Sequence, residues 1–183
     1  FIEDKSKCLA QFDLELFIAS NDKANFKPVL TAQPAKLNHF AANQFGTVFC
    51  LSGNGQVWIS SAINPQMTTL NAGEGFWFTA IALVGDKLVV SAANVKTKKQ
   101  TMFVLSRNLL ELSRCSVTKE GNYPHCAYLK PFTRNGLQYL IVDNNNCSLS
   151  LYLFNDCTIT FLCDIPTEGY LTGISIASDH ILV

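Results

Sequence analysis

The stretch from Gly136 to Cys163, GLQYLIVDNNNCSLSLYLFNDCTITFLC, constrains the fold most: three short apolar runs are separated only by Asn-Asn-Asn and Asn-Asp. Runs of this length bounded by turn residues read as strands, and gaps this short allow only antiparallel neighbours, so the segment reads as a three-stranded meander. Its surroundings repeat. Glu74-Gly75, Glu120-Gly121 and Glu168-Gly169 lie 46 and 48 residues apart (120 − 74 and 168 − 120), a spacing in the range of supersecondary units repeated along a chain.

Between Cys8 and Gln33 a helix over residues 9–17 competes with strands, but the alternation of Leu14, Leu16 and Ile18 and the Asn21-Asp22 turn favour two strands. Four-strand units then follow one another. The first contains GTVFCLS and QVWISSA around Gly53-Asn54-Gly55, the second FWFTAIALV, KLVVSAA, TMFVLS and LLELSRCSV, and the third the meander. The boundaries divide the chain into a half unit at 1–35, whole units at 36–73, 74–119 and 120–167, and a half unit at 168–183. Contiguous four-stranded antiparallel units of this length predict an all-β fold, a β-propeller made of blades. Either the chain is part of a larger ring or its two half units pair to close a four-bladed one. The abrupt stop within HILV favours the partial ring.

Composition agrees with stacked sheets. Hydrophobic residues make up 48% and charged residues only 15%, against a usual charged share of about 25%. Runs such as LQYLIVD and LVVSAA are apolar on both faces, as sheets covered on both sides require. Fourteen basic and fourteen acidic residues cancel, so any binding to nucleic acid must come from a local patch. No apolar run approaches the roughly 18 to 20 residues that span a bilayer as a helix, and no membrane association is expected. Seven cysteines lack CxxC or zinc-like spacing; sitting mostly in strand-like runs, they read as reduced, buried thiols of a cytoplasmic protein, with a disulfide-bearing extracellular domain as the alternative. Asn146-Cys147-Ser148 is a formal glycosylation sequon of the kind that arises by chance.

The third unit resembles the blades of NHL-repeat propellers, and more loosely those of WD-repeat propellers. Gly121-Asn122-Tyr123-Pro124 matches the NHL blade opening, Gly136 its glycine, Leu140-Ile141-Val142-Asp143 the strand that ends in Asp, Asn146 the hairpin position and Phe154 the end of the next strand. The Trp-Asp ending of WD repeats is absent from every unit. The resemblance implies a ring whose loops between blades, and between second and third strands, share one face. On that face it would gather Trp77, Tyr123 and Tyr170 from the blade openings, Lys96, Lys98 and Lys99 from one hairpin, and Asn144, Asn145 and Asn146 from another.

Such a face suits two classes of partner. Propellers commonly bind proteins there, and the favoured reading is a non-catalytic scaffold for a protein partner, with a second chain that completes the ring as one candidate. The alternative is an NHL-like RNA-binding module, because bases stack on aromatic faces while lysines neutralise phosphate. Neither reading needs a cofactor. His39 and His125 occupy matching places in their units but read as half-buried structural histidines. Glu74, Glu120 and Glu168 could be imagined around a metal in a channel, yet three acids at one repeat position read more simply as groups bonded to the backbone of the opening turn. No sequence around a Ser, Cys or His marks a nucleophile, so an enzyme is not expected.

Overall fold

Among the described residues, left-handed conformations at Gly85, Lys98, Leu109, Asn135, Gly136 and Asp156 mark the turns between strands. The computed structural model describes residues 7–12, 15–20, 23–30, 37–42, 47–52, 56–61, 68–71, 75–94, 96–117, 128–144, 148–169, 174–176 and 181–182. Every regular element among them is a strand, and the chain divides into two compact units, Phe1–Asn71 and Ala72–Val183.

In the first unit, β1 (Lys7–Phe12), β2 (Glu15–Ser20) and β3 (Lys23–Leu30) form a three-stranded antiparallel sheet. That is one strand more than the sequence alternation suggests, because the run from Cys8 to Ser20, read as one strand, holds both β1 and β2, which pair antiparallel. Pro28 is tolerated because β3 is an edge strand, where a missing N–H breaks no interior ladder. The sheet β4 (Leu37–Ala42), β5 (Thr47–Ser52), β6 (Gln56–Ser61) and β7 (Thr68–Asn71) follows the expected first whole unit. Phe49 and Leu51 share one face of β5 with Val57, the partner of Leu51, and all three are fully buried.

The second unit holds two four-stranded sheets. One runs β8 (Phe76–Val84), β9 (Lys87–Asn94), β10 (Lys99–Leu105) and β11 (Glu111–Val117) in spatial as in chain order. The other runs β12 (Leu129–Arg134), β13 (Leu137–Asp143), β14 (Ser148–Asn155) and β15 (Thr158–Pro166), and a two-stranded pair, β16 (Ser175–Ile176) and β17 (Ile181–Leu182), follows. Gly85 (φ 59) takes the first central place of the β8–β9 turn, and Asn135 (φ 52) and Gly136 (φ 75) together make a type I′ turn between β12 and β13. Gly136 is therefore a turn residue and not the start of a strand. The sequence obscured β12 because LKPFTR is half polar and contains Pro131, acceptable on a strand with a single ladder neighbour.

Side chains from the two sheets meet in one core. Ala80, Ala82, Val89, Met102 and Val104 line the inner face of the β8–β11 sheet, and Leu129, Leu140, Val142, Tyr152 and Phe154 line the facing surface of β12–β15. The joint is asymmetric in size. Small residues such as Ala80 and Ala82 on one side accept large ones such as Tyr152 and Phe154 on the other, the kind of size match that close-packed interiors need. The other face of β8–β11 is also buried: Phe103 contacts Phe76 and Phe78 edge-on at 5.9 and 6.1 Å, and the Arg114 guanidinium lies 5.0 Å above its ring. Each sheet's last strand carries a one-residue bulge. The residue left out of register is Leu112 in β11 and Leu162 in β15, and both are exposed.

Candidate functional site

The candidate face forms at the end of the β8–β11 sheet where β8 begins. Phe76 pairs with Asn94 and Trp77 with Ala93, so the start of β8 lies beside the β9–β10 hairpin. That hairpin is tied to Asn94. Its side-chain Oδ1 accepts hydrogen bonds from the backbone N–H groups of Lys96 (3.1 Å) and Thr97 (2.9 Å), and its carbonyl accepts one from Lys98 N–H (2.9 Å). An Asn side chain that closes a turn in this way supplies locally what a ladder partner would otherwise provide. Lys98 takes a left-handed conformation (φ 57), and Lys96, Lys98 and Lys99 all stand exposed. Gly75 (φ 78) precedes β8 and packs beside the Asn94 amide.

The structure therefore brings Trp77 and the three lysines to one end of one sheet. It does not put them all on one side. Trp77 shares a row with Ala93 and Gln100, whereas Lys99 pairs with Asn94 in the neighbouring row, on the opposite face. Trp77 is 46% exposed, a large share for an aromatic residue inside a strand.

Asn144 is not part of an exposed face, contrary to its assignment from the sequence. It is buried at the end of β13, and its amide Nδ2 donates to Ser150 Oγ at 2.8 Å and Ser148 Oγ at 3.3 Å. Ser150 in turn donates to Asp164 Oδ1 at 2.6 Å. The reason is physical: a buried amide must find partners, and the serines of β14 supply them inside the blade. Among the described residues, its Oδ1 finds no partner. Tyr123, Asn145, Asn146 and Tyr170 lie outside the described residues, as do Glu74, Glu120 and His125.

A polar seam unmarked in the sequence accompanies this cluster. Gln100 Nε2 donates to Ser91 Oγ at 2.9 Å, both residues being buried on the β8–β11 face that meets β12–β15. The available signal was a lone serine inside each of two apolar runs, LVVSAA and LSLYLF. At the far end of the unit, the ammonium of Lys87 holds the Asp86 carboxyl below the ordinary carboxylate range through a 2.8 Å bond. This pair is solvent-facing and contributes little to stability. Among the described residues, no three His, Cys, Asp or Glu side chains stand together as a metal ion would require, and Glu168 is exposed.

No family model matches the chain, and no curated protein is similar to it. Solved structures are. A protein of unknown function from Bacteroides caccae superposes with a TM-score of 0.66 at 11% identity, over 93% of this chain and 61% of that one. BBS1N, solved in complex with ARL6DN, gives 0.61 at 12% identity over 91% and 50%, and the computationally designed Ika8 protein gives 0.62 at 14% identity over 94% and 53%. The chain thus spans between half and about three fifths of the length of each of these β-propeller chains. Its four-stranded antiparallel sheets are propeller blades, and the chain is an all-β protein of the β-propeller fold, a partial one against the chains it matches.

Proposed function

We propose that this chain is a non-catalytic scaffold that binds a protein partner at the end of the β8–β11 blade, as part of a propeller ring completed by further blades. The observation that carries the reading is Trp77. A half-exposed tryptophan near the start of a strand whose following residues, Phe78 and Ala80 to Ala82, are buried offers a rigid apolar contact with little side-chain entropy to lose, the profile of an interface hot spot. A propeller of similar fold, BBS1N, was solved with a protein bound, which is the partner class proposed.

The test is affinity capture from the source cell's extract after nuclease treatment, comparing the wild type with Trp77→Ala. Loss of a stoichiometric protein in the variant supports the reading, and an unchanged set of captured proteins overturns it. A loss of at least tenfold in affinity, about 1.4 kcal/mol, is expected for the purified pair.

The second reading, an NHL-like RNA-binding module, is favoured by the three exposed lysines of the tied hairpin and by the blade of β12–β15. There Gly136 turns the chain, Asp143 ends β13 and Phe154 stands near the end of β14, in the order of the NHL pattern. It requires salt-sensitive binding of a pool of short single-stranded RNAs that Lys96→Ala, Lys98→Ala and Lys99→Ala together abolish. Binding that ignores these substitutions removes this reading. A cytoplasmic setting fits either partner.

A further inference from the structure

We infer that the partner held at the end of the β8–β11 blade presents an acidic extended peptide segment, which seats a large apolar side chain on Trp77 and carboxylates on Lys98 and Lys99. This specifies the chemistry of the partner and rests on the protein-binding reading above.

Elsewhere on this blade, charge is balanced in pairs. Lys87 holds the Asp86 carboxylate at 2.8 Å, and Arg114 donates to both oxygens of Glu111 at 2.6 and 2.7 Å. The β9–β10 hairpin departs from that pattern. Lys98 and Lys99 are exposed, and among the described residues neither has a carboxylate partner. Lys96 stands exposed beside them, so the tip carries three positive charges in a chain whose fourteen basic and fourteen acidic residues cancel overall. The tip is also fixed in place, because Asn94 accepts from the backbone N–H groups of Lys96, Thr97 and Lys98. Lys98 takes φ 57, which Gly or Asn would adopt at less cost. A lysine therefore occupies the tip against a backbone cost, and its turn does not have to be ordered when a partner binds.

Geometry selects the occupant. β8, β9 and β10 are successive neighbours, so Trp77 and Lys99 stand two strand spacings apart, about 10 Å, in rows on opposite faces. A ligand lying on either face would meet only one of them. One that crosses the end of the sheet meets both, and about three residues of extended chain cover the distance. A peptide suits this path because its side chains alternate sides. Single-stranded RNA suits it less: it needs successive aromatic platforms beside one phosphate-binding groove, and among the described residues Trp77 is the one aromatic side chain exposed at this end. Carboxylates facing uncompensated ammonium groups speed encounter and set register, while the apolar contact on Trp77 supplies affinity. The expected segment carries Asp or Glu separated by about three residues from a Leu, Phe or Trp.

The test is peptide display: random peptides of about 12 residues are selected on the purified 183-residue chain, and the enriched sequences are synthesised for fluorescence anisotropy. Asp and Glu are expected to be enriched together with one large apolar residue. Binding should weaken at least threefold when NaCl is raised from about 50 to about 300 mM. Lys98→Glu with Lys99→Glu should weaken the acidic peptides at least tenfold and, in a fresh selection, enrich Lys and Arg instead. Should that variant not fold, Lys98→Gly with Lys99→Gln decides: it suits the left-handed turn and must weaken the same peptides at least threefold. Enriched peptides without an acidic excess, or acidic peptides indifferent to the lysine variants, overturn the inference. If such peptides still lose binding in Trp77→Ala, the protein-binding reading stands without it. Failure of any peptide to enrich removes both, and a labelled oligouridine that binds in that case puts the RNA reading in their place.

Discussion

At Gly75 it is the backbone, not the space around it, that limits substitution. A Cβ there would sit 3.5 Å from the Asn94 amide nitrogen, an ordinary contact, but φ is +78°. Gly75→Ala is expected to cost about 1 to 2 kcal/mol through the left-handed conformation alone, read as a shift in the urea unfolding midpoint with unchanged slope. Asn144 is limited by its partners instead. Asn144→Ala removes a donor from the Ser148 and Ser150 hydroxyls it bonds, and a loss of about 1 to 3 kcal/mol is expected. Protein or RNA binding should be unaffected, and a selective binding defect with normal stability would contradict the structural role. Cys115 couples to pH. Burial pushes its thiol up, so the folded chain keeps that proton to higher pH than the unfolded chain does. The unfolded state then binds fewer protons, and stability falls as pH rises through the alkaline range above the ordinary thiol value. Unfolding curves across that range should lose less stability in Cys115→Ala than in the wild type.

At the scale of elements, the strands were legible where turn residues punctuate apolar runs. Gly85-Asp86 between FWFTAIALV and KLVVSAAN is such a place, and β8 to β11 stand where the pattern puts them. Legibility failed where local chemistry conflicts with the pattern. Pro131 and its polar neighbours hid β12, and a run of alternating residues concealed that β1 and β2 are two antiparallel strands. The Glu-Gly period was informative about repetition but not about phase. Gly75 abuts β8, whereas Gly121 stands well before β12 at Leu129, and Gly169 is an exposed residue of a bend. Part of the candidate site was readable because exposure of Lys96, Lys98 and Lys99 follows from a polar hairpin. Burial of Asn144 was not, because it depends on serines of β14 whose facing requires the register. The joint between β8–β11 and β12–β15 makes its own prediction. Met102→Ala and Leu140→Ala each empty a fully buried site and should cost about 2 to 5 kcal/mol by chemical denaturation. Leu110→Ala, at an exposed site, should change stability by less than about 0.5 kcal/mol.

At the scale of the whole molecule, a propeller built from such blades trades one vulnerability for another. Stacking covers the faces of the sheets but leaves the last strand of every blade with a free row of backbone donors and acceptors. The displaced leucine in β15 bears on this. Between Phe161 and Cys163 the ladder skips Leu162, which bends the strand and interrupts the straight edge along which another chain could add. Deleting Leu162 would leave each remaining pair in place, with Phe161 opposite Tyr152 and Cys163 opposite Leu151, and so straighten an apolar edge without emptying the core. The deletion variant should unfold near the wild-type midpoint yet form thioflavin-positive fibrils under conditions where the wild type stays clear. The bulge would thus serve solubility, keeping the rim of each blade from recruiting the rim of the next molecule.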